Sequence, residues 1–167
     1  MAQIRIAGFV NDSITDGPGI RFTVFTQGCP RSCKGCHNPQ TQSMSGGKLF
    51  EDTEILQMIK SNPLLTGVTF SGGEPMIQAK NLLNLAKEIK SLGLDLAIYT
   101  GYTFEELAKV DGALELLKFA DVLIDGPFVE SLKDYKLKFK GSSNQRVIDV
   151  KKSTQNKVVL CEDERWN

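Results

Sequence analysis

Three cysteines lie within eight residues of one another, at Cys29, Cys33 and Cys36. Their spacing, C-x3-C-x2-C, brings three thiols into one loop, whereas the fourth cysteine, Cys161, is far along the chain. A closed structural metal site normally takes four protein ligands. Three ligands therefore predict a metal centre with one open position, where a substrate or cofactor can bind.

The candidates for the metal group are a zinc ion and an iron–sulfur cluster. Zinc needs a fourth ligand, and the one histidine, His37, is adjacent to Cys36. Neighbouring residues seldom chelate one small ion together, and structural zinc sites usually draw paired ligands from two places. Three thiolates at this spacing favour a cubane cluster in which one iron lacks a protein ligand. We assign no catalytic role to His37, because a histidine beside a metal site often only supports the ligands.

Composition limits the class of protein. The 167 residues suffice for one domain with a real core, and the apolar fraction of 41% and charged fraction of 24% are ordinary. Twenty basic and twenty acidic side chains cancel, which gives no overall field that favours nucleic acid or a membrane surface. Without an apparent signal peptide or bilayer span, we expect a cytoplasmic protein with reduced thiols rather than a secreted disulfide scaffold.

Strands and helices alternate along most of the chain. The periodicity predicts strands at 3–10, 21–26, 67–70, 94–100 and 121–125, and helices at 52–61, 78–92, 103–110 and 113–119. Such repeats imply a parallel sheet with helices packed outside it. Functional residues gather at the carboxyl ends of parallel strands. We therefore expect four post-strand segments on one rim: the cysteine loop (residues 28–48), the glycine loop (residues 71–75), Gly101-Tyr102 and Gly126-Pro127.

The glycine loop, Ser71-Gly72-Gly73-Glu74-Pro75, directly follows a predicted buried strand. Two consecutive glycines let the backbone approach a ligand closely. Alone, the segment is equally compatible with a simple turn into the helix that starts near Gln78. Its combination with a three-cysteine loop after an earlier strand favours a ligand-binding loop.

The chain from about residue 133 departs from the strand–helix repeat. Apolar or aromatic side chains alternate with lysines over residues 135–140, which predicts a strand with one apolar and one lysine face. This strand is either a sheet edge that lysines protect from pairing or a docking face for a partner.

The cysteine triplet and the Gly-Gly-Glu-Pro sequence together resemble the radical S-adenosylmethionine superfamily. Asp16-Gly17-Pro18-Gly19-Ile20-Arg21 resembles the activating enzymes of glycyl-radical proteins. Further segments resemble one branch, the anaerobic ribonucleoside-triphosphate reductase-activating proteins: Cys36-His37-Asn38-Pro39, Tyr99-Thr100-Gly101-Tyr102, Asp121-Val122-Leu123-Ile124-Asp125-Gly126-Pro127-Phe128 and Gly141-Ser142-Ser143-Asn144-Gln145-Arg146. The resemblance covers about residues 8–149. Gly35 stands where many superfamily members carry an aromatic residue.

The resemblance implies the chemistry. Cys29, Cys33 and Cys36 would hold three irons of a [4Fe-4S] cluster, and S-adenosylmethionine would chelate the fourth. A reduced donor such as flavodoxin would supply the electron that cleaves S-adenosylmethionine to methionine and a 5'-deoxyadenosyl radical. That radical would remove a hydrogen from a glycine loop of the anaerobic ribonucleoside-triphosphate reductase. Because the cofactors carry the reaction, no side chain is assigned as catalytic.

The resemblance also implies cofactor-binding roles, each beside a simpler structural role. Glu74 either helps to bind the methionine end or caps the following helix. Thr100 contacts the ribose or the methionine carboxylate, or is a hydrogen-bonded core residue. Asp125 meets ribose hydroxyls or a partner, or bonds backbone amides, and Asn38 reaches adenine or stabilises its loop. The full predicted cofactor-binding set is Gly72, Gly73, Glu74, Asn38, Thr100 and Asp125.

At this length the chain is too short for an eight-unit barrel of roughly 250 residues. We predict an α/β fold, a single radical S-adenosylmethionine domain over 1–167 that forms a partial, laterally open (β/α) barrel of about six mostly parallel strands. The opening would admit the glycine loop. Two alternatives stay open: activation of another glycyl-radical enzyme of the pyruvate formate-lyase type, and a non-catalytic iron–sulfur or zinc binding module.

Overall fold

The computed structural model describes residues 2–167 as an α/β fold on one seven-stranded sheet. Met1, which the predicted domain includes, lies outside the described residues. The strands are β1 (Gln3–Ser13), β2 (Arg21–Thr26), β3 (Lys48–Glu51), β4 (Gly67–Gly72), β5 (Asp95–Tyr99), β6 (Val122–Asp125) and β7 (Arg146–Asp149). The α-helices are α1 (Asp52–Lys60), α2 (Ala79–Ser91) and α3 (Ala113–Leu117). Short 3₁₀ helices cover Pro39–Thr41, Pro75–Gln78, Phe104–Lys109 and Glu130–Leu132.

The strand order is β3-β1-β2-β4-β5-β6-β7. The four middle strands, β2, β4, β5 and β6, pair in parallel, while β1 pairs antiparallel with β2 and β3, and β7 pairs antiparallel with β6. The α/β class is therefore confirmed, and the predicted number of about six strands is corrected to seven. Within residues 2–167 the sheet is open between its edge strands β3 and β7, and no closure into a barrel is seen.

The helices bury their apolar stripes against one face of the sheet. In α2 the buried side chains include Leu82, Leu85, Ala86 and Ile89, spaced three or four residues apart as an amphipathic helix requires. They join strand residues such as Phe70 in the main core. This layer fixes the strands and therefore the loops that leave their carboxyl ends. None of the helices in the described chain is long and apolar enough to cross a membrane.

The C-terminal segment covers the opposite face of the sheet. A second apolar cluster contains strand residues such as Ala97 and Ile124 together with Trp166, which is only 2% exposed. The Trp166 ring contacts the Phe139 ring edge-on, with centroids 5.3 Å apart, and lies 5.6 Å from the guanidinium carbon of Arg21. Residues from beyond the last strand thus complete the packing on the face that carries no helices.

The strand predicted at residues 135–140 is wrong. The chain turns there, with the Leu137 amide donating to the Asp134 carbonyl, and Phe139 adopts a left-handed backbone with φ of 57°. Tyr135 is 87% exposed, and the Lys133 ammonium lies 4.6 Å from its ring centroid. Alternation of side-chain type was a misleading signal here, because the segment is held by contacts to other parts of the chain rather than by strand pairing.

Candidate cofactor site

A cavity of about 370 Å³ lies at the carboxyl ends of the parallel strands. Each of the four segments expected on one rim contributes to its lining. The lining residues used below are Cys29, Arg31, Cys33, Cys36, His37, Asn38, Gly72, Gly73, Glu74, Thr100, Gly101, Gly126, Phe128 and Lys140. The strand order therefore places the cysteine loop and the glycine loop around one space.

The cysteine loop is tied at its base by backbone hydrogen bonds. The Gly28 amide donates to the Thr41 carbonyl over 2.7 Å, and the Cys29 amide donates to the Gln42 carbonyl over 3.1 Å. Between these bonds the Cys36 amide donates to the Cys33 carbonyl over 3.1 Å. That turn brings the second and third cysteines back toward the cavity.

The three cysteine thiols are free and half-buried. The Asn38 amide lies 3.4 Å from Cys36 Sγ, and the Arg31 backbone amide donates to the Cys29 sulfur. Burial raises the pKa of the Cys29 thiol, while the Arg31 amide opposes that rise. Amide donors at cysteine sulfurs are the contacts that tune iron–sulfur clusters. The donor set therefore fits a cluster held by Cys29, Cys33 and Cys36.

A cluster makes a different geometric demand from a single ion. No group of three or more His, Cys, Asp or Glu side chains in residues 2–167 is arranged to hold one metal ion. In a four-iron cluster each cysteine binds a different iron, so the three sulfurs need not converge on one point.

The glycine loop touches the cysteine loop directly. The Gly73 amide donates to the Thr26 carbonyl and the Glu74 amide to the Gly28 carbonyl, both over 2.8 Å. A Cβ on Gly73 would lie 2.8 Å from the carbonyl carbon of Gly28 and from the Thr41 carbonyl oxygen. Gly72 has a left-handed φ of 99°, and a Cβ there would lie 2.5 Å from the Thr26 amide nitrogen. Both positions therefore require glycine.

The Glu74 carboxylate is 1% exposed and fully engaged. Its Oε2 accepts from the Thr100 hydroxyl over 2.7 Å and from the Met76 amide over 3.1 Å, and its Oε1 accepts from the Gly101 amide over 2.7 Å. Burial raises the pKa of Glu74, and these three donors oppose the rise. The carboxylate caps the Pro75–Gln78 helix and fastens the segment after β5, which is the structural role that the sequence left open.

Two of the other predicted residues line the cavity and one does not. Thr100 and Asn38 face the cavity, although the Thr100 hydroxyl is used by Glu74. Asp125 is outside the lining and 1% exposed, and its carboxylate accepts from the Phe104 amide and pairs with Arg146. A cofactor role for Asp125 stays a prediction, and the contacts observed are those of the structural alternative.

Sequence reasoning gave no role to two residues at the cavity, Arg31 and Phe128. Arg31 lines it from within the cysteine triplet, and its guanidinium carbon lies 4.7 Å from the centre of the Tyr102 ring. Phe128 packs against His37 with ring centroids 4.9 Å apart. A charged residue between two predicted metal ligands was a usable signal for Arg31, whereas the Phe128 contact depends on the path of the chain after β6.

Comparison with known proteins agrees with this geometry. Residues 15–148 match the family model described as a 4Fe-4S single cluster domain. Anaerobic ribonucleoside-triphosphate reductase-activating proteins from Haemophilus influenzae and Vibrio cholerae are 36% and 37% identical over 140 residues, which cover 79% of this chain and 89% of each relative. The protein of that name from Enterobacteria phage T4 is 34% identical over 151 residues, covering 87% of this chain and 90% of the relative.

A solved structure shares the fold. The crystal structure of QueE from Escherichia coli superposes with a TM-score of 0.50 and 19% sequence identity. The match covers 60% of this chain and 54% of the QueE chain. At this identity the likeness concerns the fold alone.

Proposed function

Because this chain belongs to the family of anaerobic ribonucleoside-triphosphate reductase-activating proteins, we propose that it generates a glycyl radical on the anaerobic reductase of its own cell. The observation that carries the proposal is the single cavity that the three cysteines share with Gly72 and Gly73. This arrangement supports a cluster and a second, close-fitting ligand side by side.

The chain is an iron–sulfur protein by its family. Cys29, Cys33 and Cys36 would hold a [4Fe-4S] cluster. When bound with S-adenosylmethionine, such a cluster supplies one-electron reductive cleavage of the sulfonium, which yields a carbon-centred radical. The chain's own residues contribute position and shielding rather than acid–base catalysis.

The roles of the lining residues follow from their contacts. Gly72 and Gly73 present backbone groups where no side chain fits, which suits the amino-acid end of the ligand. Glu74 holds that backbone in place through Thr100 and the segment after β5. Asn38 is available to the adenine end from the other side of the cavity. Asp125 lies outside the lining and pairs with Arg146, and its contact with the ligand stays a prediction.

The reductase must bring its glycine to the cavity from outside. The open sheet supports a partial barrel with a lateral entrance, through which a glycine-bearing loop would reach the radical. Electrons would come from a reduced carrier such as flavodoxin, in the cytoplasm.

The experiment is an anaerobic reconstitution of the chain with iron and sulfide. After reduction with dithionite, the loaded protein is incubated with S-adenosylmethionine and 5'-deoxyadenosine is quantified. The same mixture with anaerobic reductase is then examined by electron paramagnetic resonance. We expect 5'-deoxyadenosine and a glycyl doublet on the reductase.

Two controls separate the alternatives. Reductase whose radical-bearing glycine is replaced by alanine must give no doublet, and pyruvate formate-lyase replaces the reductase in a parallel sample. A doublet on pyruvate formate-lyase alone would move the assignment to the other class of activating enzyme. A fully loaded cluster that never cleaves S-adenosylmethionine would leave only a non-catalytic iron–sulfur module.

A further inference from the structure

Arg31 extends from the cysteine loop across the cavity to the segment after β5. Its guanidinium carbon lies 4.7 Å from the centre of the Tyr102 ring. A Cβ on Gly101 would lie 2.7 Å from Arg31 Cδ and 2.8 Å from Nε. The missing side chain at Gly101 therefore makes the space that the arginine occupies, and the guanidinium lies over the aromatic ring.

One donor of this arginine is buried without an acceptor in the described chain. Its Nε is buried and has no hydrogen-bond partner among residues 2–167. The salt bridges of the described chain include none from Arg31. A buried donor without an acceptor is costly and rare in folded proteins, which points to an acceptor supplied by something that enters the cavity.

The other basic side chains that line the cavity are Lys140 and His37. The Lys140 ammonium donates to the Gln145 carbonyl over 3.1 Å, and the His37 ring packs against Phe128. The nearby Glu74 carboxylate is fully engaged by its three donors. Among the described lining residues, Arg31 is thus the basic residue with a buried donor that no acceptor of the chain satisfies.

We propose that Arg31 is a ligand-binding residue that holds the carboxylate of S-adenosylmethionine, through the oxygen that is left uncoordinated when this group chelates the fourth iron. The inference rests on the proposed function, in which this ligand shares the cavity with the cluster. Guanidinium donors match the geometry of a carboxylate, and that group is the anion of the ligand. Gly72 and Gly73 line the same cavity, so Arg31 would hold the amino-acid end of the ligand from the side of the cysteine loop.

The test compares two ligands that differ only in the carboxylate. Dissociation constants for S-adenosylmethionine and for decarboxylated S-adenosylmethionine are measured anaerobically on the cluster-loaded chain and on Arg31→Gln, without reductase. We expect Arg31→Gln to raise the dissociation constant of S-adenosylmethionine by about 10- to 100-fold, which is the usual contribution of a hydrogen bond to a charged group. The decarboxylated ligand should change by less than about threefold, because it has no group for Arg31 to hold.

Matched variants guard against indirect effects. Lys34→Gln makes the same change of charge in the same loop, but the Lys34 side chain is 92% exposed, so both affinities should stay within about twofold of wild type. Arg31→Lys keeps the charge but lacks the planar set of donors. Its affinity for S-adenosylmethionine should fall by about 3- to 10-fold, while its affinity for the decarboxylated ligand should not fall. Iron and sulfide contents are matched before each titration.

Each outcome decides the question. Equal losses for both ligands would assign Arg31 to shaping the cavity and overturn the inference, and so would unchanged affinities. An unchanged affinity for S-adenosylmethionine together with weaker binding of reductase would mean that Arg31 binds a carboxylate of the reductase. That outcome also overturns the inference. A loaded wild-type chain that binds neither ligand would instead refute the proposed function, on which the inference depends.

Discussion

The cysteine loop and the glycine loop line the same cavity, but they are held in different ways. The glycine loop is fixed by the chain itself, through backbone bonds to residues 26 and 28 and through the buried carboxylate of Glu74. The cysteine loop is bonded mainly at its base, and its thiols are half-buried and unpaired. A preformed ligand seat thus lies beside a loop that has fewer contacts of its own, and we expect a bound cluster to complete the order of that loop.

The difference predicts that losing a cysteine and losing a glycine-loop contact have separate consequences. Contacts made within the chain stabilise it whether or not the cluster is present. Contacts made to the cluster stabilise only the loaded protein, because binding to the folded state alone adds to its stability. Substitutions in each loop can therefore be compared in the cluster-free and loaded forms.

Cys33→Ala should have the largest effect on function. We expect iron and sulfide binding and 5'-deoxyadenosine formation to be lost, because one iron loses its ligand. The free energy of unfolding of the cluster-free chain should change by less than about 0.5 kcal/mol, since no other side chain depends on this thiol. Iron analysis and urea denaturation measure the two quantities.

Cys161→Ala is the matched control for the thiol. Cys161 packs beside the second apolar cluster and is absent from the cavity lining, so iron content should be unchanged. A Cys33→Ala protein that keeps its full iron content would remove Cys33 from the ligand set and erase the contrast between the loops.

Gly73→Ala should have the largest effect on the cluster-free chain. The added methyl group would press on Gly28 and Thr41, so it should cost about 1–3 kcal/mol as an overpacked contact does. Because the displaced atoms belong to the base of the cysteine loop, iron binding should weaken as well. Urea denaturation of the cluster-free chain, followed by iron titration, measures both effects.

Gly8→Ala provides the comparison for Gly73. A Cβ on Gly8 would meet no atom within 4 Å, so its effect should stay below about 0.5 kcal/mol. If Gly73→Ala were as stable as Gly8→Ala, the two loops would not be joined where the hydrogen bonds indicate.

The predictability of these regions from sequence differs for a physical reason. Strands and helices with clear periodicity, such as β2 and α2, were located to within a few residues, because one buried face dictates the pattern. The shared rim followed from the parallel order of the strands. The cysteine and glycine spacing then indicated which rim segments carry chemistry.

Other features depend on contacts between distant parts of the chain. The segment at 135–140 was predicted as a strand, but the Tyr99 hydroxyl donates to the Phe139 carbonyl over 2.6 Å, and Trp166 packs against the Phe139 ring. Nothing in a local window reveals these partners. The pairing of Asp125 with Arg146 is of the same kind, since it joins two strands whose antiparallel register is known only after folding.

Glu74→Gln should destabilise the cluster-free and loaded chains alike. An amide NH₂ would replace one carboxylate oxygen and would face donors instead of accepting from them, at a cost of about 1–3 kcal/mol. Glu130→Gln is the control, because Glu130 is half exposed and its one ion pair in the described chain, with Lys34, is long at 4.0 Å and therefore weak. Its effect should be below about 0.5 kcal/mol. Chemical denaturation of both forms measures the difference, and an effect confined to the loaded form would contradict a preformed seat.

The difference in stability between wild type and Glu74→Gln should also depend on pH, which gives a second measurement. Burial raises the pKa of Glu74 above 4.5 in the folded chain, so folding favours its protonated form. This contribution is present below the unfolded value and is lost as the pH rises through the folded value. The stability advantage of wild type over Glu74→Gln should therefore be greatest in acid and should shrink as the pH rises.

The smallest expected effect compares one threonine from each loop region. Thr100→Val removes the hydroxyl that donates to the buried Glu74 carboxylate, whereas Thr41→Val removes a hydroxyl that donates to the Asn38 carbonyl three residues away. A charged acceptor left with fewer donors costs more than a neutral loop carbonyl, so we expect losses of about 1–2 and 0.5–1 kcal/mol respectively; the first is moderate because two donors remain on the carboxylate. Urea denaturation of the two cluster-free variants measures the order. Equal losses would mean that the cysteine loop is as firmly held without its cluster as the glycine loop, and the distinction between a preformed seat and a metal-ordered loop would fail.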